Sequence, residues 1–569
     1  MSDASIQQVR IRWIVVMVVV AAFLVILRLF SLQLLHSSDY RERAEHQYVT
    51  PNGQIFDRGN IYFTSKDTTT VAAATVSSGF KVTIMPSQIE DAAETYAALS
   101  RIIPLDKDVF FAKVEKKADP YEEIAERIDD TSASAITALR LSGVTLYREK
   151  WRFYPGGPLA SQAIGFVSYK DDDLVGNYGL EEYYNDVLSR NANNLYVNFF
   201  AEIFANMQST IFKNRAATGD IVTSIEPAVQ SELEHQVSVI EEKWSSEQVG
   251  GIVLDPATGE IIAMAHAPSF DLNEYGSVKD ASRYANPSTQ NVYEMGSIIK
   301  PLVMAAAIDA GAVTPATTYY DGGSVTINNK LINNFDKRGR GKVTMQDVLN
   351  QSLNTGMVFV QQYLGKDAFR DYMLERYKIG ERTGIDAPGE GKGLVSSLKG
   401  TNDVNFATAA FGQGIATTPI SIVRSFAALA NGGTLVTPHL ATAIQKESGG
   451  ITPLEYKTAP TGLKPETIST IKNMLVKVVD DGYHRGLEHY SVAAKTGTAQ
   501  IARPGGGGYY EDRNLHSLIG FFPAEHPRFV VYLYNVYPKG ANYAIATLGD
   551  PFFNMVQFLA NYYEISPDR

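Results

Sequence analysis

The run Pro301-Leu302-Val303-Met304-Ala305-Ala306-Ala307-Ile308-Asp309-Ala310-Gly311 constrains this chain more than any other stretch. It is apolar on nearly all sides, so as a helix it has no face to offer water and must be buried. The domain that holds it must be built around it. Gly311 serves as a C-terminal stop, and Gly296 gives an unhindered entry. Pro301 fits only if the helix starts at or near Ser297, where few N–H bonds are lost. Ser297 and Lys300, three residues apart, then share a face inside an apolar element and are expected to touch. A buried lysine is costly as a cation. A lysine that sheds its proton easily, beside a serine hydroxyl, is an activated-nucleophile arrangement. Taken alone, Ser-x-x-Lys reads more readily as a capping serine with a snorkelling lysine.

Two further stretches change that balance. Gln351-Ser352-Leu353-Asn354-Thr355 offers a second hydroxyl and a side-chain amide two residues apart. Val492-Ala493-Ala494-Lys495-Thr496-Gly497-Thr498-Ala499 reads as a short strand ending in Lys-Thr-Gly. The spread from 297 to 498 suits one domain. In their order the three resemble the Ser-x-x-Lys, Ser-x-Asn and Lys-Thr-Gly set of the penicillin-binding proteins and class A β-lactamases.

Other patches extend the resemblance. Gly53-Gln54-Ile55-Phe56-Asp57-Arg58-Gly59, Arg152-Phe153-Tyr154-Pro155-Gly156, and Gly165-Phe166-Val167 with Gly176 and Gly179-Leu180-Glu181 are similar to the pedestal motifs of class B, monofunctional penicillin-binding proteins. Asn52 stands where that family commonly has an arginine. Asp57 and Arg58 are expected to form a structural clamp. Gly250 to Met264 reads as strand, turn and strand before the nucleophile helix. Thr383-Gly384-Ile385-Asp386, Phe411-Gly412-Gln413-Gly414-Ile415 and Ala430-Asn431-Gly432-Gly433 read as scaffold. The family's Pro-Gly-Ser is here Met295-Gly296-Ser297, which leaves the chemistry intact.

Of the 569 residues, 13–27 contain nothing polar. Extended through Arg28 and Gln33 to residue 35, the segment spans about 35 Å as a helix, enough for a ~30 Å hydrocarbon core. Arg10 and Arg12 favour a cytoplasmic N-terminus. A cleaved signal peptide competes, but the stretch is long for one and no small-x-small site follows. The expected organisation is a cytoplasmic tail (1–12), a transmembrane anchor (13–35), a pedestal (36–218) and a transpeptidase domain (219–569). Within the pedestal, 71–76 and 80–86 look like strands bracketing a Ser77-Ser78-Gly79 turn, and 91–103 looks helical. Residues 193–212 carry apolar side chains at helical spacing. They read as a helix packed on its own pedestal, with a partner or membrane-surface helix as the alternative. The basic run Lys337-Arg338-Gly339-Arg340-Gly341-Lys342 reads as a solvated loop. Arg503-Pro504-Gly505-Gly506-Gly507-Gly508 reads as a mobile loop beside the site.

The net charge of −11 argues against nucleic acid as a partner. The chain has no cysteine, so disulfides and thiolate metal sites are excluded. The nine histidines show no ligand spacing, and no phosphate loop is present. No metal or cofactor is expected.

The resemblance implies an α/β transpeptidase domain, an antiparallel sheet flanked by helices, on an α+β pedestal with one N-terminal transmembrane helix. It implies a D,D-transpeptidase of the bacterial cell membrane that cross-links peptidoglycan stem peptides and binds β-lactams covalently. Ser297 would attack, Lys300 would be the base, Ser352 would relay the proton, and Asn354 would orient Lys300 and the substrate amide. Lys495, Thr496 and Thr498 would hold the substrate carboxylate, and Gly497 would permit close approach to the strand. The N–H groups of Ser297 and Thr498 would form an oxyanion hole. An integral-membrane glycan polymerase of the shape, elongation, division and sporulation type is the expected partner. A carboxypeptidase or β-lactamase, and a penicillin-sensing or scaffolding membrane protein, are the competing readings.

Overall fold

The computed structural model describes residues 57–170, 173–190, 218–447, 449–503 and 507–569. The proposed anchor at 13–35 and the proposed helix at 193–212 lie outside them. No helix among the described residues is long and apolar enough to cross a membrane. The described chain forms two compact units, one of residues 77–151 with Asp57, the other of residues 58–76 and 152–569.

In the smaller unit, Glu122–Ile128 and Val144–Phe153 pair with the strand Thr70–Ile84. The helices Ala92–Leu99, Lys107–Val114 and Asp130–Leu139 start at Asp91, Asp106 and Asp129, whose carboxylates accept from first-turn N–H groups. Val82, Ile84, Leu99, Phe110 and Ile136 form its core. The expected turn at Ser77-Ser78-Gly79 does not occur: Thr70–Ile84 is one continuous strand. Gly79 serves packing instead. A Cβ there would lie 2.5 Å from the Ile128 carbonyl oxygen and 3.0 Å from the Trp151 ring.

The larger unit is organised on a five-stranded antiparallel sheet in the order Ala493–Ala502, Tyr509–Phe522, Phe529–Val536, Gln248–Leu254 and Ile261–Ala267. Every residue of Phe529–Val536 is buried, because helices cover both faces. Val531 and Leu533 join a core with the helices Pro227–Trp244 and Ala544–Tyr562. Val530, Tyr532 and Tyr534 point the other way, into the core that contains Lys300–Asp309. This alternation explains why the strands read as unbroken apolar runs: neither face is left to water. The helix Lys300–Asp309 packs among Asn354–Leu364, Pro419–Ala430 and Pro465–Lys477, as its all-round apolar surface requires.

Residues 58–76 and 152–190 pack in this same unit, so the packing unit cuts across a boundary at 219. Three of the pedestal patches meet there. The Glu181 carboxylate, fully buried, receives Arg58 Nε at 2.6 Å and Arg152 Nε at 2.6 Å. Arg58 also donates to the Glu181 carbonyl at 2.8 Å and Arg152 to the Gly59 carbonyl at 2.8 Å. The clamp expected of Asp57 and Arg58 is therefore made by Arg58, Glu181 and Arg152, while Asp57 is exposed. Adjacent residues point in different directions, and only the fold could bring Glu181 to Arg58.

Burial opposes the Glu181 charge, but Arg152 and then Arg58 outweigh it and hold the carboxyl below its usual range. Its stabilising contribution is present above the unfolded carboxyl pKa and is lost as pH falls through the depressed folded value. Glu181→Gln leaves two guanidinium groups buried without a counter-charge. It should cost about 3–5 kcal/mol in chemical denaturation at pH 7. The difference from wild type should shrink as pH falls below about 4.5, where the carboxyl of the unfolded chain takes up its proton, and vanish below the depressed folded value. A variant as stable as wild type at pH 7 would show the ion triad to be dispensable.

Candidate active site

Ser297 sits in a tight entry turn. Gly296–Ile299 is a 3₁₀ turn that runs directly into the α-helix Lys300–Asp309, with Pro301 in the first turn where its missing N–H costs little. Gly296 has φ +58°, a conformation that favours glycine. Ser297 is half-exposed on a cleft of about 1080 Å³, with Gly296 and Ile298 buried on either side of it. Two other glycines allow this turn to be clasped. A Cβ on Gly412 would lie 2.1 Å from the Gly296 carbonyl oxygen, and one on Gly497 would lie 2.7 Å from the Met295 carbonyl oxygen. Gly497 thus lets the Ser297 turn approach the strand closely. That strand, Ala493–Ala502, carries Lys-Thr-Gly in its middle and not at its end.

Lys300 is fully buried. Its Nζ lies 2.6 Å from the Ser352 carbonyl oxygen, 3.2 Å from Ser352 Oγ and 2.9 Å from Asn354 Oδ1. Burial pushes its pKa well below the ordinary lysine value, and the Lys495 charge pushes it further. A neutral amine satisfies all three contacts by donating to the two carbonyl-type oxygens and accepting from the Ser352 hydroxyl. Among the described residues, Ser297 Oγ makes no hydrogen bond to Lys300. The direct contact expected from their spacing is replaced by the Ser352 and Asn354 contacts, which draw the lysine head across to the next segment.

Lys495 is also fully buried, and burial lowers its pKa to about 7. Its Nζ donates to Ser352 Oγ at 3.1 Å and to the Thr496 carbonyl at 3.0 Å. Two lysines therefore converge on one hydroxyl, and no carboxylate among the described residues is paired with either. Ser352 itself has φ +53°, a left-handed conformation that costs a non-glycine residue about 1–2 kcal/mol. It lies between the helices Met345–Asn350 and Asn354–Leu364. Asn354 is fixed at its other end by Nδ2 donating to the Asn333 carbonyl at 3.0 Å.

The residue after Asn354 is held by a buried carboxylate the sequence did not announce. Asp321 accepts from Asn334 Nδ2 at 3.0 Å and from Thr355 Oγ1 at 2.8 Å. The basic run is not a free cluster. Arg340 grips Asp336 at 2.7 and 2.8 Å and donates to Gln351 at 3.1 Å, and Gly341–Thr344 is a strand. On the strand, Thr496 is half-exposed and Thr498 exposed, both lining the cleft. Two other lining residues were missed: Tyr509, whose hydroxyl donates to Glu294 at 2.9 Å, and Tyr483, bonded to Thr496. Neither belongs to a motif, so pattern gave no signal. The glycine-rich loop lies partly outside the described residues, and no metal-binding cluster of acids and histidines occurs within them.

Comparison with known proteins places this geometry in context. The penicillin binding protein transpeptidase domain matches residues 249–556, and the penicillin-binding protein dimerisation domain matches residues 56–221. The chain is 30% identical over 505 residues to the stage V sporulation protein D of Bacillus subtilis, covering 86% of this chain and 74% of that protein. It is 27% identical over 485 residues to the probable peptidoglycan D,D-transpeptidase PenA of Neisseria meningitidis, covering 83% and 79%. The crystal structure of penicillin binding protein 2X from Streptococcus thermophilus superposes with TM-score 0.72 at 21% identity, over 90% of this chain and 81% of that one, a likeness of fold.

The two lysines can be observed directly. With ¹³C-labelled lysine, one Cε resonance should titrate near pH 7 and vanish in Lys495→Met. A second should titrate well below the ordinary lysine range and move up in that variant, because a neighbouring positive charge has gone. Two ordinary titrations near 10.5 would refute the burial argument.

Proposed function

The chain belongs to the penicillin-binding protein transpeptidases, of the class B, monofunctional type, and on that premise we propose a mechanism for its cleft. The enzyme cross-links peptidoglycan stem peptides by serine acyl transfer. Ser297 Oγ attacks the penultimate D-alanine carbonyl, and neutral Lys300 takes its proton. The proton passes through the Ser352 hydroxyl to the leaving amine, and D-alanine departs. An amine of a second stem attacks the Ser297 ester, gives its proton back by the same route, and leaves the two stems joined by an amide. Asn354 orients Lys300 and the substrate amide. Lys495, Thr496 and Thr498 hold the terminal carboxylate, whose charge offsets that of Lys495. The N–H groups of Ser297 and Thr498 receive the oxyanion. A β-lactam carbonyl takes the place of the peptide's.

The observation that carries this reading is Ser352 Oγ lying 3.2 Å from Lys300 and 3.1 Å from Lys495, beside Ser297 on one cleft. Incubated with benzylpenicillin, the protein should gain one adduct by intact mass, absent in Ser297→Ala. Lys300→Arg retains charge but has no neutral amine to offer, and it should slow acylation by about 10²–10⁴-fold with an unchanged fold. Labelling that survives Ser297→Ala sinks the nucleophile assignment. With a stem-peptide donor and an amine acceptor, exclusive release of hydrolysed donor would favour the hydrolase reading.

The domain organisation proposed with this mechanism is an anchor at 13–35, a pedestal at 36–218 and a transpeptidase domain at 219–569. The anchor makes this a single-pass protein of the bacterial cell membrane with its catalytic domain outside. Arg28 and Gln33, polar groups within the span, would face protein rather than lipid. They support a complex with an integral-membrane glycan polymerase, since tethering supplies nascent strands at up to millimolar effective concentration. Replacing 13–35 with an unrelated membrane helix should weaken co-purification of the polymerase and depress glycan polymerisation, leaving penicillin labelling intact. Unchanged binding and activity would make the anchor passive.

A further inference from the structure

Tyr483 ends a π turn, Val478–Tyr483, that continues the helix Pro465–Lys477. Such widened turns tend to mark functional sites, because they re-aim a side chain. This one approaches the Ser352 segment closely at Gly482, where a Cβ would lie 3.1 Å from the Asn350 carbonyl oxygen. Among the described residues, the turn delivers the Tyr483 hydroxyl to Thr496 alone. The Thr496 backbone N–H donates to it at 2.7 Å, and Thr496 Oγ1 lies 3.0 Å from it.

The phenol oxygen accepts from the Thr496 N–H, and its single proton is assigned to Thr496 Oγ1, a contact in which either hydroxyl can be the donor. Thr496 Oγ1 is the acceptor within reach among the described residues. With a lone pair of Oγ1 engaged by Tyr483, the Thr496 hydroxyl keeps its own proton free for the cleft, where Thr496 is half-exposed. The strand Ala493–Ala502 is at the sheet edge, where outward N–H and C=O groups are ordinarily open to any ligand. At Thr496 both are already taken, the N–H by Tyr483 and the C=O by Lys495 Nζ at 3.0 Å. Only the side-chain hydroxyl is left to recognise anything.

We infer that Tyr483 is a positioning residue that presents the Thr496 hydroxyl as a hydrogen-bond donor to the carboxylate of the acyl donor. It sets affinity for anionic donors without touching them and takes no part in the acyl transfer itself. The inference rests on the reading of Lys495, Thr496 and Thr498 as the carboxylate seat.

The test compares benzylpenicillin with its methyl ester, which lacks the carboxylate charge. Acylation of the full chain is followed against ligand concentration to separate binding from the acylation step. Tyr483→Phe removes one oxygen and keeps the ring. It should weaken benzylpenicillin binding about tenfold, the range for a hydrogen bond to a charged group. The acylation step should stay within about twofold, and the ester should react as with wild type. Thr496→Val should reproduce the carboxylate-specific loss from the other end of the same bond. Adding Tyr483→Phe to it should cost nothing more. Equal loss with both ligands would show that Tyr483 merely supports the strand. No loss with either would show its hydroxyl to be idle. Both results would overturn the positioning role while leaving Ser297 chemistry standing. Failure of the wild type to label at Ser297 would instead strike the parent reading.

Discussion

Two fully buried lysines share one serine hydroxyl, and the rest of the site follows from that arrangement. Neither has a carboxylate partner among the described residues, so neither can hold a proton at ordinary lysine strength. Burial alone brings Lys495 to about 7, while Lys300 feels burial and the Lys495 charge together. A carboxylate in every such position would have made an inert ion pair. Leaving it out favours the neutral amine form of Lys300 beside the Ser352 hydroxyl. The interior tolerates this because the three contacts of Lys300 and the two of Lys495 satisfy their hydrogen-bonding groups.

Holding the two lysines that close requires three chain segments to converge, and glycine makes the convergence sterically allowed. Gly412 and Gly497 let their segments reach the carbonyls of Gly296 and Met295 at distances no side chain permits. The Ser297 turn is clasped between a loop and a strand and runs directly into the buried helix Lys300–Asp309. Ser352 accepts a left-handed conformation to bring its hydroxyl between the lysines. That strain persists because Asn354, Asn333 and the Asp321 network fix the chain on the far side.

Away from the cleft the same logic appears with the opposite outcome. Glu181 is as deeply buried as either lysine, but two arginines meet it and it stays charged. The paired charge works as structure, joining residues from three separate patches. The unpaired ones are held by hydrogen bonds alone and lose their proton more easily than ordinary lysines. Partner supply, not burial, separates the two roles.

The amino-acid sequence by itself determined the three motif-bearing segments, the buried helix and the hairpin before it, because each is written in local pattern and turn chemistry. It also determined that cysteine chemistry is excluded. Distance between segments was not legible. The Lys300 head reaches Ser352 rather than Ser297, Arg58 reaches Glu181 rather than Asp57, and Gly79 lies within a strand rather than a turn. Tyr483 and Tyr509 belong to no pattern and became visible only when the strand Ala493–Ala502 and the Ser297 turn were packed beside them. Tertiary structure decided these points because hydrogen bonds and ion pairs depend on separations in space. Sequence periodicity reports only which face of an element is turned inward.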